Sequence, residues 1–328
     1  MAPSTPTAYS AGMTPRLLLV LVTSIAIAAC GSSATPADPE EPACGSGGPL
    51  MGPGGDFNGP YMERTLTMKD GTERTYLLRL PAGYRDGVRA DVVFNFHGSG
   101  SDATEQLVYG DLTAQADRDG VILVSPDANK VFPDSSHELS GYWSSAWEAN
   151  LRVRDHDVDF VLELVEQLQS EYCTGDFHAT GMSAGGDMVS ALECLAESPF
   201  QGHAAVTYGY FNEPECGDAP PRPLLYFHGT DDFVVPFAGS GPPWNDPPVP
   251  DLMQNWAEHN GCSPEPIEER VSDEVLRYYW NGCDAKTEWY LVEGGGHTWP
   301  GAIEIPGLGH TTTDISASDL IWEHFFGD

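Results

Sequence analysis

Gly181-Met182-Ser183-Ala184-Gly185-Gly186 is the stretch on which the fold turns. The apolar residues 177–182 before Ser183 read as a short buried strand, and residues 184–196 after it read as a helix. A serine held between a strand and a helix, with glycine two positions away on each side, fits the pattern G-x-S-x-G. The glycines have a steric role: the turn is sharp, and side chains at the flanking positions would clash. The bland alternative is a serine that merely caps the helix. The strand-turn-helix context favours a nucleophile at Ser183.

Working outward, strands and helices alternate on both sides of this turn. Residues 64–68 and 74–80 flank Asp70-Gly71 and read as a β-hairpin. Residues 91–96 form a buried strand ending at His97-Gly98-Ser99-Gly100, and a helix is expected over 103–119, stopped by Gly120. Strands follow at 121–124, 204–208, 224–227 and 288–292. Helices are expected at 155–172, 251–260 and 316–326. This alternation predicts a mostly parallel sheet covered on both faces. With the serine turn, the expected class is α/β, an α/β-hydrolase fold in a single domain over residues 61–328. No internal repeat is evident.

The chemistry then needs a base and an acid later in the chain, in the order Ser, acid, His. His297 follows the last expected strand through Gly294-Gly295-Gly296, a run that lets a loop carry an imidazole over the serine. His310 is a weaker rival in another glycine-flanked loop, and His324 falls inside the closing helix. After strand 224–227 come Asp231 and Asp232, and spacing does not choose between them. The amide of Ala184, at the positive end of the helix, is the natural first oxyanion donor. The second is the amide of Ser99, with Gly98 the neighbouring option. His97 reads as a residue that ties down its loop. The chemistry of this set calls for no metal and no cofactor.

Composition bounds the partners. The chain has 328 residues, 15 basic and 49 acidic, for a formal charge of −34. Such a surface repels nucleic acid and polyanions and is easier to reconcile with a neutral ester, polymeric or not. Arg16 precedes an apolar run at 17–29 that ends in Ile27-Ala28-Ala29-Cys30. The run is too short for a permanent span and suits a signal peptide. The ending resembles a bacterial lipobox. Residues 1–29 are therefore expected to be removed and Cys30 lipidated, the only membrane attachment foreseen. Residues 30–60, rich in Gly, Pro and Ser, read as a tether to an exported catalytic domain, expected to be a monomer.

Cys44, Cys173, Cys194, Cys216, Cys262 and Cys283 form an even set, consistent with disulfides in an oxidising compartment. Strand-helix geometry puts Cys173 and Cys194 at one end of the sheet as a candidate pair. Cys262 and Cys283 flank one insertion and form a second. Asp155, Asp157 and Asp159 lack the glycine that a calcium loop needs at its sixth position, where Phe160 stands, and read as helix N-terminal acids, with Asp157 as the capping candidate. Trp299 is as well placed to stack on substrate as to pack its loop. Trp143, Trp147 and Trp244 read more as packing, with Trp143 kept as a candidate contact.

Three blocks together are similar to the secreted polyhydroxybutyrate depolymerase and feruloyl esterase family: residues 181–186, His-Gly-Thr-Asp-Asp-Phe-Val-Val-Pro at 228–236, and Gly-Gly-Gly-His-Thr-Trp-Pro-Gly at 294–301. The closing segment Ile321-Trp322-Glu323-His324-Phe325-Phe326 resembles that family's last helix, so the resemblance runs from about residue 61 to the end. It implies a Ser-His-Asp triad with Asp232 as the acid, since Asp231 falls on the variable position. Ala184 departs from the asparagine common after the serine. Residues 135–154 and the Pro-rich 239–250 have no counterpart. The resemblance implies a hydrolase of feruloyl, acetyl or related esters. Polyester depolymerisation is the near alternative. A prolyl-oligopeptidase-like peptidase and a non-catalytic binding lipoprotein are more distant ones.

Overall fold

The computed structural model describes residues 61–128, 143, 155–208, 216–217, 219–241 and 246–327. The expected signal segment, Cys30, the tether with Cys44, and Trp147 and Trp244 lie outside the described residues.

The chain enters through β1 (Met62–Thr67) and β2 (Glu73–Arg79), the hairpin expected around Asp70-Gly71, with Gly71 at φ 90°. Next come β3 (Ala90–Phe96), α1 (Ala103–Tyr109), α2 (Thr113–Asp119) and β4 (Ile122–Pro126). Helix α3 (Asp155–Glu171) leads into β5 (Thr174–Met182), α4 (Ala184–Glu193), β6 (Phe200–Val206) and β7 (Leu224–Gly229). The chain closes with α5 (Val249–His259), β8 (Ile267–Arg270), β9 (Val275–Tyr279), β10 (Thr287–Val292) and α6 (Ala317–Phe326).

The strands form one sheet in the order β1-β2-β4-β3-β5-β6-β7-β10-β9-β8. Six central strands, β4 to β10 in that order, pair in parallel, and an antiparallel pair closes each edge. This is the α/β-hydrolase architecture. Central strands are apolar throughout because both faces are covered, with β4 and β7 buried along their whole length. Strand order reverses between β3 and β5. In open α/β sheets ligands settle beyond the carboxyl ends of strands at such a switch point. The loop 97–100 leaves β3 there and Ser183 leaves β5 there.

Three expectations change. The single helix 103–119 is two helices, broken at Gly110. A Cβ at Gly110 would lie 3.1 Å from the Trp299 ring, and Asp111 Oδ1 accepts the Thr113 amide to start α2. The edge strands β8 and β9 were not anticipated; β8 is exposed along its length and carries no buried period. The expected Cys173–Cys194 pair is not formed. Cys194 caps α4 and bonds Cys216, while Cys173 is held in a separate disulfide. The Cys262–Cys283 bond forms as expected.

Asp157 lies in the first turn of α3, fully buried, and accepts from Arg74 at 2.5 Å. The Arg74 guanidinium also sits over the Phe160 ring, 4.1 Å from its centroid, and so fastens α3 to β2.

Candidate active site

Ser183 has φ 54° and ψ −127°, a left-handed backbone that is rare for a residue with a side chain. Two things hold it there. Its amide donates to Val206 O at 2.9 Å, and its carbonyl accepts from Asp187 at 3.1 Å. The flanking glycines permit the close packing around it. A Cβ on Gly185 would lie 2.2 Å from Phe96 O, and one on Gly181 would lie 2.6 Å from the Gly185 backbone. The turn therefore presses against the end of β3. Ser183 itself is half-buried, at the start of α4.

Asp232 and His297 meet although 65 residues separate them. His297 Nδ1 lies 2.8 Å from Asp232 Oδ2, and both side chains are buried. The other carboxylate oxygen accepts the amides of Val234 and Val235 at 2.9 and 2.8 Å. Backbone packing brings the two loops together. A Cβ on Gly229 would lie 2.1 Å from Gly295 O, and one on Gly296 would lie 2.2 Å from Leu308 O. The Asp231 amide donates to Gly295 O, and Thr230 Oγ1 accepts the Gly294 amide. The glycines before His297 thus serve close approach more than mobility. Asp231 is exposed, and its carboxylate accepts from Thr230 Oγ1 at 3.4 Å.

A histidine absent from the sequence-based set, His228, supports Asp232. His228 is buried beside Asp232, its Nε2 3.7 Å from Oδ2 and 2.9 Å from Val235 O. Burial lowers its pKa to about 4, so it is neutral at pH 7 and braces the turn. The signal was available in the His-Gly-Thr block, but nothing in the spacing set this histidine apart as a brace.

Ser183 and His297 border one cleft of about 550 Å³, with Gly98, Ser99 and Gly100 beside them. Among the described residues no hydrogen bond joins the Ser183 hydroxyl to His297. Such contacts are commonly long before substrate binds and tighten in the complex. Gly98 packs directly on the serine: a Cβ there would be 3.2 Å from Ser183 Cβ. His97 is buried and ties its loop down, as expected. Its Nε2 accepts the Ala128 amide at 3.0 Å, which places the proton on Nδ1, and Nδ1 donates to Gly98 O at 2.8 Å. A trans peptide directs C=O and N–H oppositely, so anchoring the Gly98 carbonyl also fixes the Ser99 amide.

The two tryptophans kept as candidate substrate contacts do not reach the cleft surface. Trp299 is 1% exposed, donating Nε1 to Ser318 and its amide to the Tyr109 hydroxyl. Trp143 is 2% exposed, donating to His97 O and meeting Phe96 edge-on. Both are packing residues of loops near the site. His310, the rival base, is exposed and bonds Glu274 at 2.9 Å. Among the described residues no group of three or more His, Cys, Asp or Glu is arranged to hold a metal ion.

No family model matches the chain. Feruloyl esterase C of Emericella nidulans is 25% identical over 283 residues, covering 82% of this chain and 91% of that protein. Feruloyl esterase B of Piromyces equi is 26% identical over 238 residues, which is 68% of this chain but 42% of that longer protein. An acetyl xylan esterase from Aspergillus awamori superposes with TM-score 0.57 at 15% identity, over 82% of this chain and all of that one, a likeness of fold. The chain is thus a feruloyl esterase-like α/β-hydrolase. In chemical terms it is a serine carboxylic ester hydrolase.

Proposed function

We propose that Ser183, His297 and Asp232 form the catalytic triad of an exported esterase that cleaves feruloyl, acetyl or related esters of plant polysaccharide. The 2.8 Å bond between His297 Nδ1 and Asp232, beside a strained serine on the same cleft, is the observation that carries this reading. Asp232 has both oxygens engaged, so it holds the imidazole with Nδ1 protonated and Nε2 free to act as base. His297 takes the Ser183 proton as the hydroxyl attacks the ester carbonyl. The oxyanion is received by the amides of Ala184 and Ser99. His297 returns the proton to the leaving alcohol, and water activated by the same imidazole releases the acid.

The substrate class rests on the feruloyl esterase relatives and on the acidic surface, which disfavours anionic partners. Disulfides in the domain fit an oxidising compartment. Export with lipidation at Cys30 belongs to the same proposal. The test is hydrolysis of p-nitrophenyl acetate by the wild-type chain and by Ser183→Ala. Turnover should fall roughly 10⁶-fold in the variant. Retained activity would remove Ser183 from its role.

A further inference from the structure

The walls of the cleft differ in chemistry. Ile303, Ile305 and Leu308 line one side, all from the loop that follows His297. Val108 and Tyr109 of α1 add to this apolar surface. Ile303 and Val108 are 61% and 62% exposed, among the most exposed large apolar side chains of the described residues. Large apolar groups held open to water within a concave site mark a place where a ligand completes the packing. Near the oxyanion loop the lining turns polar, with Ser101, Thr104 and Glu105, and Ser101 Oγ donates to Glu105 at 2.8 Å.

The apolar wall is fixed relative to the base. The His297 amide donates to Leu308 O at 2.7 Å and the Gly296 amide to His310 O at 2.9 Å. The base of the loop is closed by Gly301 N to Thr312 O and Ala302 N to Trp299 O. Gly301, Gly307 and Gly309 take φ of 83°, 93° and 93°, which turn the chain so that residues 303–308 lie along the cleft. Farther out, Glu274 accepts from Thr312 and bonds His310 and so clamps the returning strand of the loop to the sheet edge.

We propose that residues 302–308 are the selectivity element of this enzyme. Ile303, Ile305 and Leu308 receive an apolar aryl or branched alkyl group of the ester, and the Ser101–Glu105 side receives its hydroxyl-bearing part. The proposal rests on the esterase reading above and deepens it by assigning residues to substrate choice. Glu105 adds a reason for a neutral ester, because a second carboxylate beside it would be repelled. Ile303 is exposed and Ile305 half-buried where it packs on the margin of the core, so serine at both positions removes contact area without replacing a fully buried side chain.

The experiment measures kcat/KM of the wild-type chain and of the Ile303→Ser/Ile305→Ser variant on triacetin, benzyl acetate and methyl cinnamate. The first ester carries only acetyl groups on a polar glycerol backbone, and the other two place an aryl group on the alcohol or the acyl side. In a hydrophobic pocket a single lost methylene is worth about tenfold or more. The variant's ratio of aryl ester to triacetin should therefore fall at least about tenfold for one or both aryl esters. Ratios that stay within about twofold, whether overall activity is kept or lost, overturn the assignment. A wild-type chain that cleaves none of the three overturns the esterase reading itself.

Discussion

Asp231 and Asp232 are neighbours of the same chemistry on one turn, and the backbone alone separates their fates. The turn aims Asp232 inward, where two amides and an imidazole engage its carboxylate, and leaves Asp231 in solvent. Residue counting cannot see this, because either acid could have faced the histidine. The distinction comes from the Gly229–Gly295 contact and the Asp231 amide bond to Gly295 O, which orient the turn. Replacing Asp232 by Asn should keep the amide bonds to the oxygen but present an NH₂ to His297 Nδ1. The ring must then carry its proton on Nε2, the nitrogen that the proposed mechanism needs as base. Turnover of p-nitrophenyl acetate by Asp232→Asn should fall on the order of 10⁴-fold. Asp231→Asn should leave it nearly unchanged, and a large loss in that variant instead would exchange the two roles. The tryptophans teach the converse. Trp143 and Trp299 have the composition of a binding site, but their indole nitrogens are spent on His97 O and Ser318.

At the scale of elements, β5, the serine turn and α4 were readable because glycine punctuation and a change of period coincide there. The α1–α2 break was not, since Gly110 reads as a tolerable interruption until Trp299 is seen packed against it. Strand β8 lacked a buried face to betray it, and β9 buries only Val275 and Leu276, too few to show a period. The Cys194–Cys216 bond crosses from α4 to the connection between β6 and β7, a contact that strand and helix periodicity cannot supply. The serine turn depends on how tightly α4 sits on β3. At Gly185 the obstructing atom is a main-chain carbonyl oxygen, 2.2 Å from where Cβ would be. Nothing flexible can move aside. Gly185→Ala should lower stability by about 3 kcal/mol or more, at the upper end for overpacking, and should disturb the serine turn at the same time. Equilibrium denaturation measures the loss, and a midpoint matching wild type would mean that β3 and α4 can separate without strain.

For the whole molecule, the response to acid sets two opposing effects against each other. With a formal charge of −34, the folded surface repels itself at neutral pH, and protonation relieves that repulsion. The buried histidines act the other way, whereas buried Glu193, its carboxyl pushed up by desolvation, sides with the surface. Desolvation lowers His178 and His228 from 6.5 to about 4. The unfolded chain therefore takes up these protons first, and stability falls as pH drops from about 6.5 to about 4. Each shift corresponds to at most about 3 kcal/mol at about 1.4 kcal/mol per unit. Glu288 extends the same trend to lower pH. Burial opposes its ionisation, yet His324, Lys286 and Arg277 converge on it and hold it at about 2. That carboxylate's contribution is present above about 4.5 and is lost as pH falls toward 2. Salt separates the two effects, because surface repulsion is screened while buried groups are not. In about 1 M NaCl, where the Debye length is roughly 3 Å, Tm should fall steadily from pH 6.5 to 4. His178 stacks on Phe325 at 4.8 Å, so His178→Phe keeps the ring contact and removes the proton site. The variant should lose a distinct part of that slope. Parallel curves for variant and wild type would mean that this histidine protonates freely in the folded protein.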